Sequence, residues 1–117
     1  MIRKAEVTRK EHLQGGKGGA FVHTIVPEEE LYNCGRMYAK IVLDPGATVG
    51  WHRHEGETEP YYIQEGNGIF IDDDGSRNEV GPGDICTILP GQCHSLENPS
   101  ETETLTFIAL IYRDLRG

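Results

Sequence analysis

No apolar run in this 117-residue chain approaches the roughly eighteen residues that a membrane-crossing helix needs. The opening Met1-Ile2-Arg3-Lys4-Ala5-Glu6 is too polar for a signal peptide. The sequence therefore reads as a cytoplasmic protein with no membrane partner. Positive charge is scarce: 11 Lys and Arg stand against 19 Asp and Glu, a net charge of −8. Nucleic-acid partners are excluded on that balance, because phosphate-backbone binding relies on clustered Lys and Arg. The three cysteines, Cys34, Cys86 and Cys93, form no close-spaced pair, so they fit neither a disulfide framework nor a cysteine metal or redox motif. They read as reduced thiols. A long amphipathic helix is missing too, and the length suffices for one core but not for two.

What the chain does have is punctuation. Fifteen glycines and six prolines separate short runs of Val, Ile, Tyr and Phe, the pattern of many strands joined by turns. Strands are expected at 20–26, 36–43, 48–54, 60–64, 68–71, 84–89, 93–97 and 105–112, and their regular spacing implies an all-β sandwich or barrel. Residues 1–19 end in the glycine-rich Gly15-Gly16-Lys17-Gly18-Gly19 and read as a flexible N-terminal arm, with the domain proper at 20–117. That run lacks the Gly-Lys-Ser/Thr ending of a phosphate-cradling loop. Pro27-Glu28-Glu29-Glu30-Leu31 suits one helical turn. Asp72-Asp73-Asp74-Gly75 reads as a hairpin turn, since the ligand spacing of a calcium loop is missing. The apolar runs 20–26 and 105–112 are expected to be edge strands that pair two copies into a homodimer.

Chemistry concentrates in His52, His54, Glu59 and His94. Residues two apart on a strand face the same way, so His52 and His54 aim at one point while Trp51 and Arg53 point outward. A turn through Glu55-Gly56-Glu57-Thr58 returns the chain beside them, and on turn geometry alone Glu55, Glu57 or Glu59 could supply a carboxylate. His94 follows a Pro90-Gly91 turn that opens another strand. Three imidazoles and a carboxylate form a donor set for one divalent transition metal: Mn, Fe, Ni, Co, Cu or Zn. His12 and His23 have no such neighbours.

The stretch Gly46, five residues, His52-Arg53-His54, four residues, Glu59, six residues, Gly66 resembles the first cupin motif at every fixed position. Gly83, Gly91, His94 and Asn98 are similar to the second motif (83–98), except that Leu89 stands where that motif has proline and Pro90 directly precedes Gly91. The resemblance implies a single-domain double-stranded β-helix, or jelly-roll barrel. It also selects Glu59 as the carboxylate ligand, a choice consistent with the strand face Glu59 would share with Tyr61 and Ile63. Asn98 would then hold a turn rather than touch the metal, and alternation turns Cys93 away from the site.

Four protein donors on a six-coordinate ion leave two positions for a small-molecule ligand in the barrel. The resemblance thus implies a metal-dependent enzyme on a small organic acid or enol-like substrate, a dioxygenase or an oxalate-decarboxylase-like enzyme, with Tyr61 and Glu57 as acid/base candidates. The alternative is a metal-dependent binding or sensing module without turnover, because cupins as a fold do not select a reaction.

Overall fold

Alternation of buried and exposed residues makes Gly35–Leu43 and Leu105–Arg113 the two longest strands. They lie antiparallel with Leu43 opposite Leu105, Ile41 opposite Phe107 and Ala39 opposite Ala109, so one face of the pair is wholly apolar and must be covered. The structure is a computed structural model that describes residues 1–116. Its strands are β1 (Glu6–Glu11), β2 (Gly19–Val26), β3 (Gly35–Leu43), β4 (Thr48–Arg53), β5 (Glu57–Thr58), β6 (Tyr61–Glu65), β7 (Gly68–Ile71), β8 (Arg77–Val80), β9 (Ile85–Cys86), β10 (Cys93–Glu97) and β11 (Leu105–Arg113).

The larger sheet runs β1-β2-β3-β11-β6-β9, with β5 also on β11, and the smaller runs β4-β10-β7-β8. Val49, Phe70 and Leu96 of the smaller sheet pack against Leu43, Tyr61, Ile63, Leu105 and Phe107 of the larger one. Each such fully buried side chain contributes about 1.5–3 kcal/mol. The expected jelly-roll barrel is therefore present, and its interior is a packed apolar core at one end.

Most expected strands appear within a residue of their predicted ends, and Glu28–Leu31 forms a single 3-10 turn after Pro27. Asp72-Asp73-Asp74-Gly75 is the hairpin turn between β7 and β8, closed by Gly75 N–H donating to Asp72 O at 2.8 Å. Pro90-Gly91 sits at the centre of a turn closed by Gln92 N–H on Leu89 O at 3.1 Å, with Gly91 at φ 88°. Proline then glycine is the order that a type II turn requires, so the displaced proline suits its place.

Three expectations need correction. Residues 6–11, assigned to an arm without regular structure, form β1, paired residue by residue with β2 from Glu6↔Thr24 to Glu11↔Gly19. Every β1 side chain is exposed, so no apolar alternation marked it in the sequence. The runs expected as dimer edges are interior strands: β2 lies between β1 and β3, and β11 between β3 and β6. Their apolar side chains serve the core instead: Ala20 and Val22 of β2 and Leu105, Phe107 and Ala109 of β11 are buried in it. Finally, the strand expected at 84–89 shrinks to Ile85–Cys86, since the turn through Pro90 takes the chain out of the ladder.

Candidate metal centre

A β-bulge aims the first histidine. β10 pairs with β4 through His94↔His52 and Leu96↔Val49, so two steps along β10 oppose three along β4. The extra residue at Gly50-Trp51 breaks the alternation, which lets Val49 and His52, three apart, face the same interior while Trp51 stays half exposed. His54 follows the last residue of β4 and is pinned by backbone bonds, its N–H donating to Gln92 O and its carbonyl accepting from Gly91 N–H. Glu59 lies between β5 and β6, Tyr61 opens β6, and His94 is on β10 directly opposite His52.

The four expected ligands converge. His52 Nε2 lies 2.9 Å from His54 Nε2 and 3.2 Å from His94 Nε2. Glu59 Oε1 lies 3.0 Å from His54 Nε2, 3.2 Å from His94 Nε2 and 3.5 Å from His52 Nε2. Donors about 2.1 Å from an ion are about 3.0 Å apart at right angles and about 3.4 Å apart at tetrahedral angles. The observed spacings are those of a single coordination shell.

The outer ring nitrogens sharpen this. His52 Nδ1 lies 2.7 Å from Gly50 O and His54 Nδ1 lies 2.5 Å from Glu57 Oε2. Against these acceptors both Nδ1 atoms carry the hydrogen, so a ring without a second proton presents its bare Nε2 lone pair to the other ring and to the Glu59 carboxylate. Such an arrangement of acceptors calls for a cation at its centre. The donor set fits a divalent transition metal held by His52, His54, Glu59 and His94.

The sequence profile of the cupin domain matches residues 39–111. The chain is a cupin. It is 39% identical to an oxalate-binding protein of Thermotoga maritima over 95% of its own length and 92% of the relative's. It superimposes with a TM-score of 0.88 on a crystal structure described as a predicted oxalate decarboxylase from Thermotoga maritima, at 36% identity over 97% of this chain and 98% of the other. A cupin-like protein from the same organism matches with a TM-score of 0.74 at 20% identity, over 98% and 81% of the two chains, and attests the fold alone.

Electrostatics in the cupin's centre divide the ligands. Burial raises the Glu59 carboxyl, but contacts with His52, His54 and His94 outweigh it and hold the group well below the usual carboxylate range. Burial also opposes protonation of His54, yet the hydrogen bonds to Glu59 and Glu57 win and raise its pKa. For His94 burial dominates and lowers the pKa, so this ring is neutral near pH 7. Tyr61 is fully buried beside Glu59, and both facts push its phenol well above the ordinary value. Its hydroxyl stays protonated and donates to Glu59 Oε1 at 3.2 Å.

Beside these residues lies a cavity of about 200 Å³. His52, Glu59 and Tyr61 form its buried floor, Val22, Met37, Ile41, Val49, Phe107 and Ile111 its walls, and the exposed Lys10, Gln14 and Arg36 its mouth. Glu57 is not among the lining residues: its carboxylate takes Arg36 Nε and Nη2 at 2.9 and 2.8 Å and reaches the far side of the His54 ring. Glu55 is exposed beside Arg53. Asn98 lies in a separate corner, its side-chain amide donating to the carbonyls of Asp44 and Glu103. Sequence reasoning missed Gly50, Lys10, Gln14 and Arg36. The packing of Gly50 against a distant turn left no local signal, and the other three belong to segments with no motif.

Proposed function

We propose that this cupin holds one divalent transition metal through His52, His54, Glu59 and His94 and uses it to bind oxalate or another small chelating acid. The observation that carries the reading is the convergence of three imidazole nitrogens and one carboxylate oxygen beside a 200 Å³ cavity that two of the four residues, His52 and Glu59, line. Support for the ligand class comes from the 39% identical relative named for oxalate binding and from the cationic side chains at the mouth of an otherwise acidic chain. Mn, Fe, Ni, Co, Cu and Zn all suit this donor set. Bound there, the ion would supply Lewis acidity toward two ligand oxygens or a one-electron redox centre.

The chain's own residues do the rest. The apolar walls exclude water from the ligand's flanks, the Glu57 carboxylate fixes the His54 ring, and the Tyr61 hydroxyl offers a hydrogen bond at the floor. Binding without turnover is favoured, because Glu57 stands behind a ligand ring rather than in the cavity. A second reading, decarboxylation or oxygen-dependent cleavage of the same acid, is favoured by Tyr61, whose protonated hydroxyl lines the cavity and would be the group to hand a proton to the carbon that loses CO₂. The free thiols, with Cys34 exposed, favour a reducing compartment such as the cytoplasm.

Elemental analysis of tag-free protein beside His52→Ala/His94→Ala, followed by calorimetric titration of each with oxalate, tests the reading. Near one metal per chain and saturable oxalate binding, both lost in the double variant, are expected. Metal-free wild-type protein after anaerobic reconstitution would overturn it. Formate or CO₂ release, or O₂ uptake, at enzymatic rates would move the conclusion to the second reading.

A further inference from the structure

The N-terminal segment reaches the cavity from outside the motif-bearing part of the chain. In β1 the side chains of Val7, Arg9 and Glu11 share one face: Arg9 lies 4.9 Å from the centre of the exposed Phe21 ring and pairs with Asp44. Alternation turns Lys10 to the other face, that of the buried Ala20 and Val22. There Lys10 overhangs the opening whose floor is His52, Glu59 and Tyr61.

After β1 the chain makes a 3-10 turn, Leu13–Gly15, in which His12 and Gln14 adopt the left-handed conformation at φ 55° and 52°. Two such non-glycine residues cost of order 1 kcal/mol or more each and persist only where surrounding structure holds them. The braces are visible. His12 N–H donates to Gly18 O at 2.8 Å, Lys17 N–H to Thr48 Oγ1 at 2.9 Å and Thr48 N–H to Lys17 O at 2.9 Å. The Gln14 carbonyl fits against Gly50 so closely that a Cβ there would stand 2.1 Å from it. The turn is thus locked onto β4, beside the bulge that aims His52, and it presents Gln14 to the same cavity.

We propose that Lys10 and Gln14 are the residues that select the charge of the bound acid. They bind the outward carboxylate oxygens of a dianionic ligand whose inner oxygens face the floor. Of the two cations at the mouth, Arg36 is already neutralised by its bidentate pair with Glu57, whereas Lys10 has no ion-pair partner among the described residues. The apolar walls offer nothing to a second carboxylate, so discrimination between a dianion and a monoanion falls to the mouth. A monocarboxylic chelator such as glycolate keeps one outer oxygen where oxalate has two, and carries one negative charge fewer for Lys10 to meet.

This assignment rests on the acid-binding reading above, and the experiment separates the two. Oxalate and glycolate are titrated calorimetrically into metal-loaded wild type, Lys10→Met, Lys10→Arg and Gln14→Leu, with metal content and melting temperature measured for each. Wild type should prefer oxalate. Lys10→Met should weaken oxalate by about tenfold and glycolate by less than about twofold, as expected for one lost charge-assisted contact at a partly solvated mouth. Lys10→Arg should recover most of the loss, and Gln14→Leu should show the same selectivity at smaller size. An unchanged oxalate Kd in Lys10→Met, or equal losses for both acids, overturns the assignment and leaves the metal–acid reading intact. If wild type carries metal but binds neither acid, the ligand reading falls and this assignment falls with it. Lys10 is exposed on an edge strand, so loss of fold is not the expected effect of either substitution.

Discussion

Glu57→Ala should weaken metal binding although Glu57 touches no metal. Its carboxylate lies 2.5 Å from His54 Nδ1, and it is held there by two contacts from Arg36 at 2.8 and 2.9 Å. The Arg36 guanidinium, and after it the His54 ring, keep the carboxyl below its ordinary pKa against the effect of burial, so it is ionised at neutral pH. Removing it strands a buried Nδ1–H and frees the His54 ring to turn or to move its proton to Nε2, where a metal must bind. Loss of an acceptor behind a ligating histidine typically costs 10–100-fold in metal affinity, or about 1.4–2.7 kcal/mol. The Arg36–Glu57 pair itself is half exposed on the arginine side and adds at most about 1 kcal/mol. Arg36→Met isolates that part and should raise the metal Kd by less than about fivefold. Glu57→Gln, which keeps an acceptor but no charge, should fall between. Competition against a chromophoric chelator near pH 7 measures all three. A Glu57→Ala affinity within about twofold of wild type, or a loss no larger than that of Arg36→Met, would refute the orienting role.

Gly50→Ala should drive a methyl group into the Gln14 carbonyl, lowering stability by about 1–3 kcal/mol and loosening the metal site with it; a thermal melt matching wild type would contradict the packing. Tyr61→Phe should cost about 1 kcal/mol in a urea titration and leave one metal per chain; if the protein turns over its acid, the rate should drop while Kd holds. In metal-free protein the raised pKa of His54 stabilises the fold fully below the unfolded value near 6.5, and that contribution is lost as pH rises through the folded value. Glu59, held low, contributes above the unfolded carboxylate range and loses its effect as pH falls through its folded pKa. Urea midpoints of metal-free protein should therefore decline on both sides, and metal affinity should rise with pH as the His54 proton ceases to compete. A metal affinity flat between about pH 6 and 8 would contradict the His54 assignment.

His52 and His54 were legible because spacing of two on a strand is a local rule; Glu59 was selected by the first motif, and the hairpin expected to return it is absent, since β4 and β6 lie in different sheets. His94 was legible only through the second motif, since nothing local says that residue 94 opposes residue 52. Strands β3 and β11 announced themselves by alternation and β7 and β10 by short runs buried almost throughout, whereas β1 did not: its side chains are all exposed and its pairing is carried by the backbone, to which sequence pattern is blind. The same blindness hid Lys10 and Gln14, whose relevance depends on where a turn with two left-handed residues comes to rest. Glu57 was noticed as a rival carboxylate and an acid/base candidate, but a turn of unknown shape did not say that it would meet the outer side of the His54 ring.

The bulge between Val49 and His52 has a bearing on how this chain can change. Loops elsewhere tolerate gain or loss of a residue, and a strand usually improves when an irregularity is removed. Deleting one residue at Gly50 or Trp51 would restore perfect pairing between β4 and β10 and yield a more regular sheet. It would also rotate either Val49 out of the cavity wall or His52 out of the metal shell. The binding site is thus encoded by a count of residues as well as by their identities, and a repair of the sheet would abolish it as surely as damage to a ligand.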